Sequence, residues 1–463
     1  MLKGKTTIEL TDVKTKEKEI YKDENIVTNA VPDLFSLNPS GLVYYMDGCS
    51  PTKFDENLFP IANKCYGGIL LFQDTLEENT NKYFAPRNNQ IIGYASNDVN
   101  PTDEKKRGSF NLTESGPIEN GYKFVWDFST SQGNGRISSL ALTHFLGGRN
   151  FYGDDYGNSS MLRINKINKR TSDYNLARAY TCAVEANLEK NYLISIYPRS
   201  NKSIDIMKIR EPFTTIGLND PVNGGSKSKI DVTNIPAKDF FLDRGYDNLY
   251  HYFFDGKDGY WYGFNAEYGS DSTTLRRIKI KKDDLSTEIS KWGLGNISLF
   301  RLGKYPSEDY ASRLVFSTVK DGYLYTMSYD KKIIYKININ NPVDISKINI
   351  DFDAKFDSVR DANIYIYNWG DYILGYNFLI NSNDEVVRTF KKNNYSGILF
   401  EYACSNIIKQ GPFAIIYGFY DERLYKNIFL NTSYLGTINN LSSPVLKTAD
   451  KTMKITYTLT EEE

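Results

Sequence analysis

The chain has 463 residues, with 56 Lys and Arg against 57 Asp and Glu and a formal net charge of −1 at pH 7. This length exceeds one ordinary hydrophobic core and predicts two or three domains. A balanced charge excludes a dedicated nucleic-acid binder, which would carry a basic stripe. The sequence has no run of about 18 apolar residues, so no membrane span is expected, and the start of the chain lacks the apolar segment of a secretory signal.

Composition favours a β protein. The chain contains 36 Tyr and 26 Phe, and aromatic and β-branched residues with Asn and Gly turns are typical of strands. The four cysteines lack CxxC spacing, and His144 and His251 are the only histidines. We therefore expect no structural zinc and no cofactor. A disulfide between Cys49 and Cys65 is the alternative to buried free thiols, which a reducing cytoplasm favours.

The first 147 residues read as short strands separated by turns. We predict one helical turn or two at 29–37, a polar loop at 74–89 and a solvated turn at 101–109. The predicted strands are 5–13, 18–28, 65–72 and 90–95.

Residues 121–146 organise this part of the chain. Phe124, Trp126 and Phe128 alternate with other residues and predict a strand with an aromatic face. Two glycines at 133 and 135 then break the pattern, so the stretch predicts a β-hairpin. The segment 451–460 alternates as cleanly, and a C-terminal strand needs a sheet to hold it. We expect it to return to the first domain, which makes the middle of the chain an insertion.

A loose motif recurs after about residue 147, beyond a Gly- and Asp-rich linker. It consists of a polar turn, an aromatic residue that starts a strand, and then a second turn and strand; a further strand precedes each turn. The motif starts at 189, 257, 320, 369 and 410, and the preceding strands are predicted at 180–184, 249–254, 314–318, 364–367 and 398–402. Repeated antiparallel strands are the signature of propeller blades, and we expect five to seven. A long β-sandwich with hairpin insertions is the alternative.

The sequence therefore predicts an all-β protein. An N-terminal β-sandwich-like domain is completed by the C-terminal strand and carries an inserted β-propeller-like domain. The predicted domains are 1–147 with 436–463, and 148–435.

Several phrases near the two ends of the sequence are distinctive when taken together: KGKTTIELTDV, ENIVTNAV, CYGGILLFQDTLEEN, NQIIGYASN, KRGSFNLTESG, GYKFVWDFSTSQGNGRISSLALTH and SSPVLKTADKTMKITYTLT. They resemble minor structural proteins of tailed phages and phage-tail-like bacteriocins of Gram-positive hosts. The resemblance covers about the first 147 and the last 25 residues, and the middle matches no family that can be named.

This resemblance implies a virion structural protein of the tail fibre or baseplate type, made in the host cytoplasm. Its implied partners are other tail or baseplate proteins and a host cell-wall polysaccharide or surface protein; homo-oligomerisation is left open. A glycan-binding, lectin-like receptor-binding protein and a glycan depolymerase are the alternatives.

Signals for an enzyme are weak. The GxSxG, HExxH and P-loop patterns do not occur, and we expect both histidines to be structural. Paired carboxylates can hydrolyse a glycan, but the candidates Asp255, Asp258, Asp321 and Asp371 all stand in turns, where Asp is favoured for backbone reasons. We predict no catalytic residues and no metal site.

The turns of the repeats are the predicted binding face, because equivalent turns of successive blades share one side of a propeller. Trp369 stands in a polar turn and could stack on a sugar ring; alternatively it folds back as a plug between blades. The predicted glycan-binding residues are Trp369, Asp371, Lys257, Asp258, Lys320 and Asp321, and the turn residue Lys190 is expected on the same rim.

Overall fold

In the computed structural model, the chain divides into two compact units. Unit 1 comprises Met1–Asn165, Gly411–Phe413 and Phe429–Glu463, and unit 2 comprises Lys166–Gln410 and Ala414–Ile428. The structure describes residues 2–32, 66–86, 89–145, 147, 161–187, 190, 192–210, 229–241, 253–266, 274–299, 317–350, 366–369, 372–374, 378–381, 383–388, 404–420, 422–431 and 434–461. The predicted linker falls outside these ranges, apart from Gly147.

The described residues are mostly strands. The first eight are β1 Leu2–Asp12, β2 Lys18–Val27, β3 Gly68–Phe72, β4 Ile91–Ala95, β5 Ser109–Phe110, β6 Gly116–Ile118, β7 Gly121–Phe128 and β8 Gly135–Thr143. The middle of the chain forms β9 Met161–Arg170, the helix α1 Tyr174–Thr181, β10 Ala183–Asn187, β11 Tyr192–Pro198, β12 Ser203–Arg210, β13 Lys229–Pro236, β14 Phe253–Asp255, β15 Tyr260–Ala266, β16 Thr274–Lys281, β17 Thr287–Gly293, β18 Ser317–Lys320, β19 Tyr323–Met327, β20 Ile333–Asn338, β21 Ile345–Asn349, β22 Tyr367–Trp369, β23 Tyr372–Leu374, β24 Phe378–Ile380, β25 Val386–Arg388, β26 Cys404–Gln410, β27 Phe413–Tyr420 and β28 Arg423–Asn431. The chain ends with β29 Thr437–Lys447 and β30 Lys451–Glu461.

Unit 1 contains a ten-stranded sheet whose order is β4-β3-β8-β29-β2-β1-β30-β7-β5, with β6 beside β7. The closing strand β30 lies in its middle, antiparallel to β1 from Leu2↔Glu461 to Asp12↔Lys451 and to β7 on its other side. The alternation seen in the sequence explains this position, because Met453, Ile455 and Tyr457 are all buried on one face. The prediction that the C-terminal strand completes the N-terminal domain is confirmed.

The two ends of this sheet are joined by backbone contacts, so the sheet is nearly closed. Tyr94 in β4 forms a parallel bridge with Arg107, just before β5, and the amide of Gly108 donates to the carbonyl of Tyr94 over 2.8 Å. Trp126 is fully buried, and its indole N–H donates to the carbonyls of Gly67 and Ser96. The aromatic face of β7 therefore fills the inside of the sheet, as its sequence pattern indicates.

The predicted hairpin at 121–146 is wrong. Strands β7 and β8 both form, but β29, β2, β1 and β30 lie between them in the sheet. The segment between β7 and β8 closes no hairpin and is held by other parts of unit 1. The amide of Gly133 donates to the carbonyl of Lys105, and the Lys447 ammonium donates to the carbonyl of Ser129 and the side-chain oxygen of Asn134. A glycine-rich turn permits a hairpin, but the apolar faces of strands far apart in the sequence decided the pairing.

The turn at 101–109 was predicted to be solvated, and this holds only for its first part. Residues 101–106 are exposed, whereas Arg107 is buried and pairs with Asp98 over 2.9 Å. A buried guanidinium needs such a partner. In the predicted helical segment at 29–37, Ala30–Pro32 are helical, and the residues from 33 onward fall outside the described ranges.

The described residues of the insertion form five four-stranded sheets, and the strands of the first four pair antiparallel. Their orders are β10-β11-β12-β13, β14-β15-β16-β17, β18-β19-β20-β21, β22-β23-β24-β25 and β26-β27-β28-β9. The first strands contact one another in a ring, from β10 through β14, β18, β22 and β26 back to β10. This is a five-bladed propeller arrangement, and the propeller prediction is confirmed. Strand β9, from the start of the insertion, completes the last sheet, which the repeat pattern did not predict.

The aromatic residues of the repeats mark the second strand of each sheet. Tyr192, Tyr260, Tyr323, Tyr372 and Phe413 each begin one. Two details of the prediction are wrong. Residues 174–181 form α1, because Asp173 caps the helix by accepting from the amides of Asn175 and Leu176, so the strand predicted at 180 starts at Ala183. In the fourth repeat, the strand predicted at 385–390 to follow the aromatic strand directly is the outer strand β25, because β24 lies between the two.

Large apolar side chains fill the space between adjacent sheets. Between the first two sheets, Ile196 and Ile206 pack with Trp261 and Ile278. Between the second and third, Phe264 and Trp292 pack with Leu324 and Ile337. This packing holds the first three sheets against one another.

Candidate functional site

A cavity of about 240 Å³ lies where the inner strands of the propeller meet. All five sheets contribute to its wall. The lining residues are Val184, Phe254, Asp255, Lys257, Thr318, Val319, Asp321, Tyr367, Asn368, Ile407, Ile408 and Lys409. All belong to unit 2.

The cavity combines an apolar part with a few polar groups. Val184, Phe254, Val319, Tyr367 and Ile407 are all buried, and they come from five different sheets. These residues lie on the inner strands β10, β14, β18, β22 and β26. Concave, largely apolar surfaces with a few polar groups are typical of sites for small ligands.

An ion-pair network borders the cavity between the first and second sheets. Asp255 ends the inner strand β14 and accepts from Lys257 and Lys282, each over 2.8 Å. Lys282 also pairs with Glu185 on β10 over 2.7 Å, and Glu185 accepts from the indole N–H of Trp261. This network ties two neighbouring sheets together through charged hydrogen bonds.

The pKa values of this network follow from the balance of burial and charge. Burial disfavours the ionised form of Asp255, but the ammonium groups of Lys257 and Lys282 outweigh burial and hold the pKa of Asp255 below its usual value. Burial likewise opposes the charge on Lys282, yet Asp255 and Glu185 raise its pKa above the usual value. Both groups are therefore charged at neutral pH.

The third and fourth sheets are joined at the cavity by Asn368. Its backbone amide donates to the hydroxyl of Thr318 over 3.1 Å, and its side-chain amide donates to the carbonyl of Val319 over 3.0 Å. The side-chain nitrogen of Asn368 is thus occupied by the protein, and its carbonyl oxygen can accept a hydrogen bond from a ligand.

The turn of the third sheet explains why an aspartate stands at 321. Lys320 pairs with Tyr323 across the hairpin, and Asp321 and Gly322 have φ values of 50° and 78°. Two left-handed residues are what a two-residue type I′ turn requires, and Asp-Gly is a preferred pair. The carboxylate of Asp321 forms an ion pair with Lys320.

Two of the six predicted glycan-binding residues line the cavity, Lys257 and Asp321. Lys320 does not line the cavity, but it forms an ion pair with Asp321, which does. Asp258 serves its own hairpin, because its carboxylate accepts from the amide of Tyr260 and, over 2.6 Å, from the hydroxyl of Tyr262. Burial, followed by this carboxylate, raises the pKa of Tyr262.

Of Trp369, the residue predicted to stack on a sugar ring, only the backbone is described. The backbone of Trp369 ends β22 and pairs with Tyr372, whereas Asp371 lies outside the described ranges. The turn residue Lys190 donates its backbone amide to Asn187 and does not line the cavity.

The sequence did not single out nine of the twelve lining residues, among them Phe254, Tyr367, Asn368 and Lys409. Each lies in or at the end of the strand that precedes a repeat turn. A propeller places that strand innermost, so the preceding strand, rather than the turn, carried the signal.

The remaining candidates for chemistry are buried where they are described. His144 is buried beside Phe145, as predicted, and His251 lies outside the described residues. Cys182 is buried and takes part in no disulfide, and Cys49 and Cys65 fall outside the described ranges. Across the described part of the chain, no three His, Cys, Asp or Glu side chains are grouped to hold a metal ion, and no helix has the length and apolar character to cross a membrane.

Comparisons with known proteins give little. No protein-family model and no curated protein matches the chain. Among solved structures, a crystal structure of polysaccharide lyase Uly1 is similar over 80% of this chain and 100% of that chain, with 10% sequence identity and a TM-score of 0.25. A similarity at this level supports no conclusion about activity.

Proposed function

We propose that the chain is a structural protein of the tail fibre or baseplate type from a phage or a phage-tail-like bacteriocin. Unit 1 attaches it to the tail, and the propeller binds a glycan of the host surface without cleaving it. The attachment role rests on the resemblance of the first 147 and last 25 residues to such proteins. The binding role rests on the cavity.

The division into a scaffold and a binding module is supported by the pairing of β1 with β30. The two ends of the chain lie side by side in one sheet over eleven residue pairs, and the whole propeller is inserted between them. A scaffold closed by both termini holds an inserted module without depending on it. Recognition in proteins is commonly carried by segments displayed on a rigid scaffold.

Binding without cleavage is favoured by the state of the carboxylates near the cavity. Glycoside hydrolysis uses one carboxylic acid whose pKa is raised so that it can donate a proton. The pKa of Asp255 is lowered instead, and its oxygens are held by two ammonium groups. Asp258 is occupied by its own turn. The Asp255 carboxylate therefore keeps its negative charge and donates no proton.

Two measurements test this function. Mass spectrometry of purified tail particles from the producing strain should detect the chain, and the purified protein should compete with those particles for adsorption to host cells. Purified particles without the chain would contradict the attachment role. A protein that neither competes nor binds isolated cell walls would contradict the binding role.

A third measurement separates binding from cleavage. Cell-wall polysaccharide incubated with the protein should release neither reducing ends nor unsaturated sugars. Release that is lost in Asp258→Asn or Asp321→Asn would establish a depolymerase and overturn the proposal of a non-enzymatic protein. We also expect Trp369→Ala to weaken adsorption several-fold, since stacking on one ring is worth on the order of 1 kcal/mol.

A further inference from the structure

We infer that the cavity between the five inner strands holds a single, electrically neutral sugar ring, the terminal unit of the recognised glycan. This inference rests on the proposed glycan-binding function and names its ligand. Size, wall chemistry and charge balance each support it.

The size of the cavity limits the ligand. Clefts for small molecules commonly measure roughly 300–1,000 Å³, and this cavity, at about 240 Å³, is smaller. It can enclose one ring but not an oligosaccharide. The rest of the glycan would therefore extend outward past the rim.

The wall chemistry suits the two faces of a sugar. Phe254 and Tyr367 present aromatic surface among aliphatic neighbours, and such surface packs against the C–H face of a pyranose ring. Hydroxyl groups need hydrogen-bond partners at the edge. The side-chain oxygen of Asn368 can accept from one hydroxyl, and the ammonium of Lys257, whose side chain is 62% exposed, can donate to another.

Charge balance argues against an ionic ligand. The lining residues include two lysines, 257 and 409, and two aspartates, 255 and 321, so their formal charges cancel. Asp255 and Asp321 are paired with the ammonium groups of Lys257, Lys282 and Lys320, so a cationic sugar would have to displace one of these lysines. An anionic sugar would have to compete with Asp255 for Lys257. Removing an ionic group from water without a dedicated partner costs several kcal/mol.

A neutral ligand has a consequence that can be measured. Screening by salt weakens attraction between opposite charges but leaves stacking and neutral hydrogen bonds almost unchanged. Binding should therefore keep the same Kd, within about twofold, when the ionic strength rises from about 0.01 M to about 1 M.

The experiment measures binding of the full-length protein to a panel of monosaccharides by saturation-transfer NMR and calorimetry. The panel pairs neutral hexoses and N-acetylhexosamines with their uronic acid and phosphate counterparts. We expect at least one neutral sugar to bind independently of salt and more tightly than its charged counterparts. Asn368→Ala should weaken it about fivefold, the loss of roughly one hydrogen bond.

Two further variants keep the test sharp. Asp321→Asn removes one negative charge from the wall, so uronic acids should gain affinity and become salt-sensitive, while the fold is checked by thermal unfolding. Lys332→Met is the control: Lys332 lies in the exposed β19–β20 turn and does not line the cavity, and its binding should match that of the wild type.

Tighter binding of a charged sugar, or binding of the neutral sugar that weakens with salt, would overturn the inference. So would a protein that binds host walls but no member of the panel, or whose sugar binding is the same in folded Asn368→Ala. These results leave the proposed glycan-binding function intact. Failure to bind walls at all would contradict the proposed function itself.

Discussion

Replacing Ile455 with Ala should destabilise unit 1 because this side chain is fully buried in the middle of the closing strand. It lies between Ile8 on β1 and Trp126 on β7 in the register of the sheet. The substitution removes three buried carbon atoms at about 0.8 kcal/mol each, or about 2.4 kcal/mol. Strands on both sides limit collapse into the space, so the cavity raises the loss toward about 4 kcal/mol.

Hydrogen exchange measured by mass spectrometry is the appropriate assay, since it reports each unit through its own peptides. In Ile455→Ala, the free energy of exchange of peptides from β1, β7 and β30 should fall by the loss worked out above, and peptides from the propeller serve as the internal reference. Ile455→Val should lose about 0.5–1.5 kcal/mol. The matched control is Thr456→Ala on the opposite, half-buried face of the strand, for which we expect a loss under about 1 kcal/mol. A loss below about 1 kcal/mol for Ile455→Ala would refute the reasoning.

Three other predictions concern single positions. Burial lowers the pKa of Lys447 to about 8, so between that pH and 10.5 the unfolded chain binds a proton that the folded chain does not. The free energy of unfolding should therefore rise with pH in this window, by at most about 3 kcal/mol. Denaturant titrations of Lys447→Met at several pH values should lack this rise, and the same increase with pH in the variant and the wild type would contradict the prediction. Gly121→Ala places a methyl group against the backbone carbonyl of the closing strand, whereas Gly116→Ala meets open space; thermal unfolding should show a loss of about 1–3 kcal/mol for the first and under about 0.5 kcal/mol for the second, and equal losses would be the wrong result. Glu185→Gln keeps an acceptor but removes the charge facing Lys282; we expect a loss of about 1–3 kcal/mol in urea unfolding, and unchanged stability would show that the network does not join the two sheets.

The sequence predicted those elements whose signal is local. The alternation of apolar and polar residues at 451–460 fixes which face of the strand is buried, because a one-residue slip would expose Met453, Ile455 and Tyr457 together. The aromatic strand starts at Tyr260 and Tyr323 are equally local, since each follows a turn with its own glycine. These signals gave the fold class and the closing strand.

The rest depended on residues distant in the chain. Nothing near residues 129–135 indicates that β7 pairs with β30, and β8 with β29, where a hairpin would pair β7 with β8. Strand β9 completes the last blade from about 240 residues upstream of β26, and periodicity carries no information on such a pairing.

The candidate site was only partly predictable for a related reason. Lys257 and Asp321 stand in turns that the repeat marks, so they were found. Phe254, Tyr367 and Asn368 belong to short inner strands whose apolar runs look like ordinary core segments. Only the ring of five sheets shows that these strands converge on a common centre.

A structure of the full-length protein bound to an oligosaccharide from the host cell wall tests the central claim most directly. The account predicts one terminal neutral ring inside the cavity, against Phe254 and Tyr367, with a hydroxyl at the side-chain oxygen of Asn368 and the remaining sugars outside the rim. An oligosaccharide bound elsewhere on the propeller, with the cavity filled only by solvent, would contradict it.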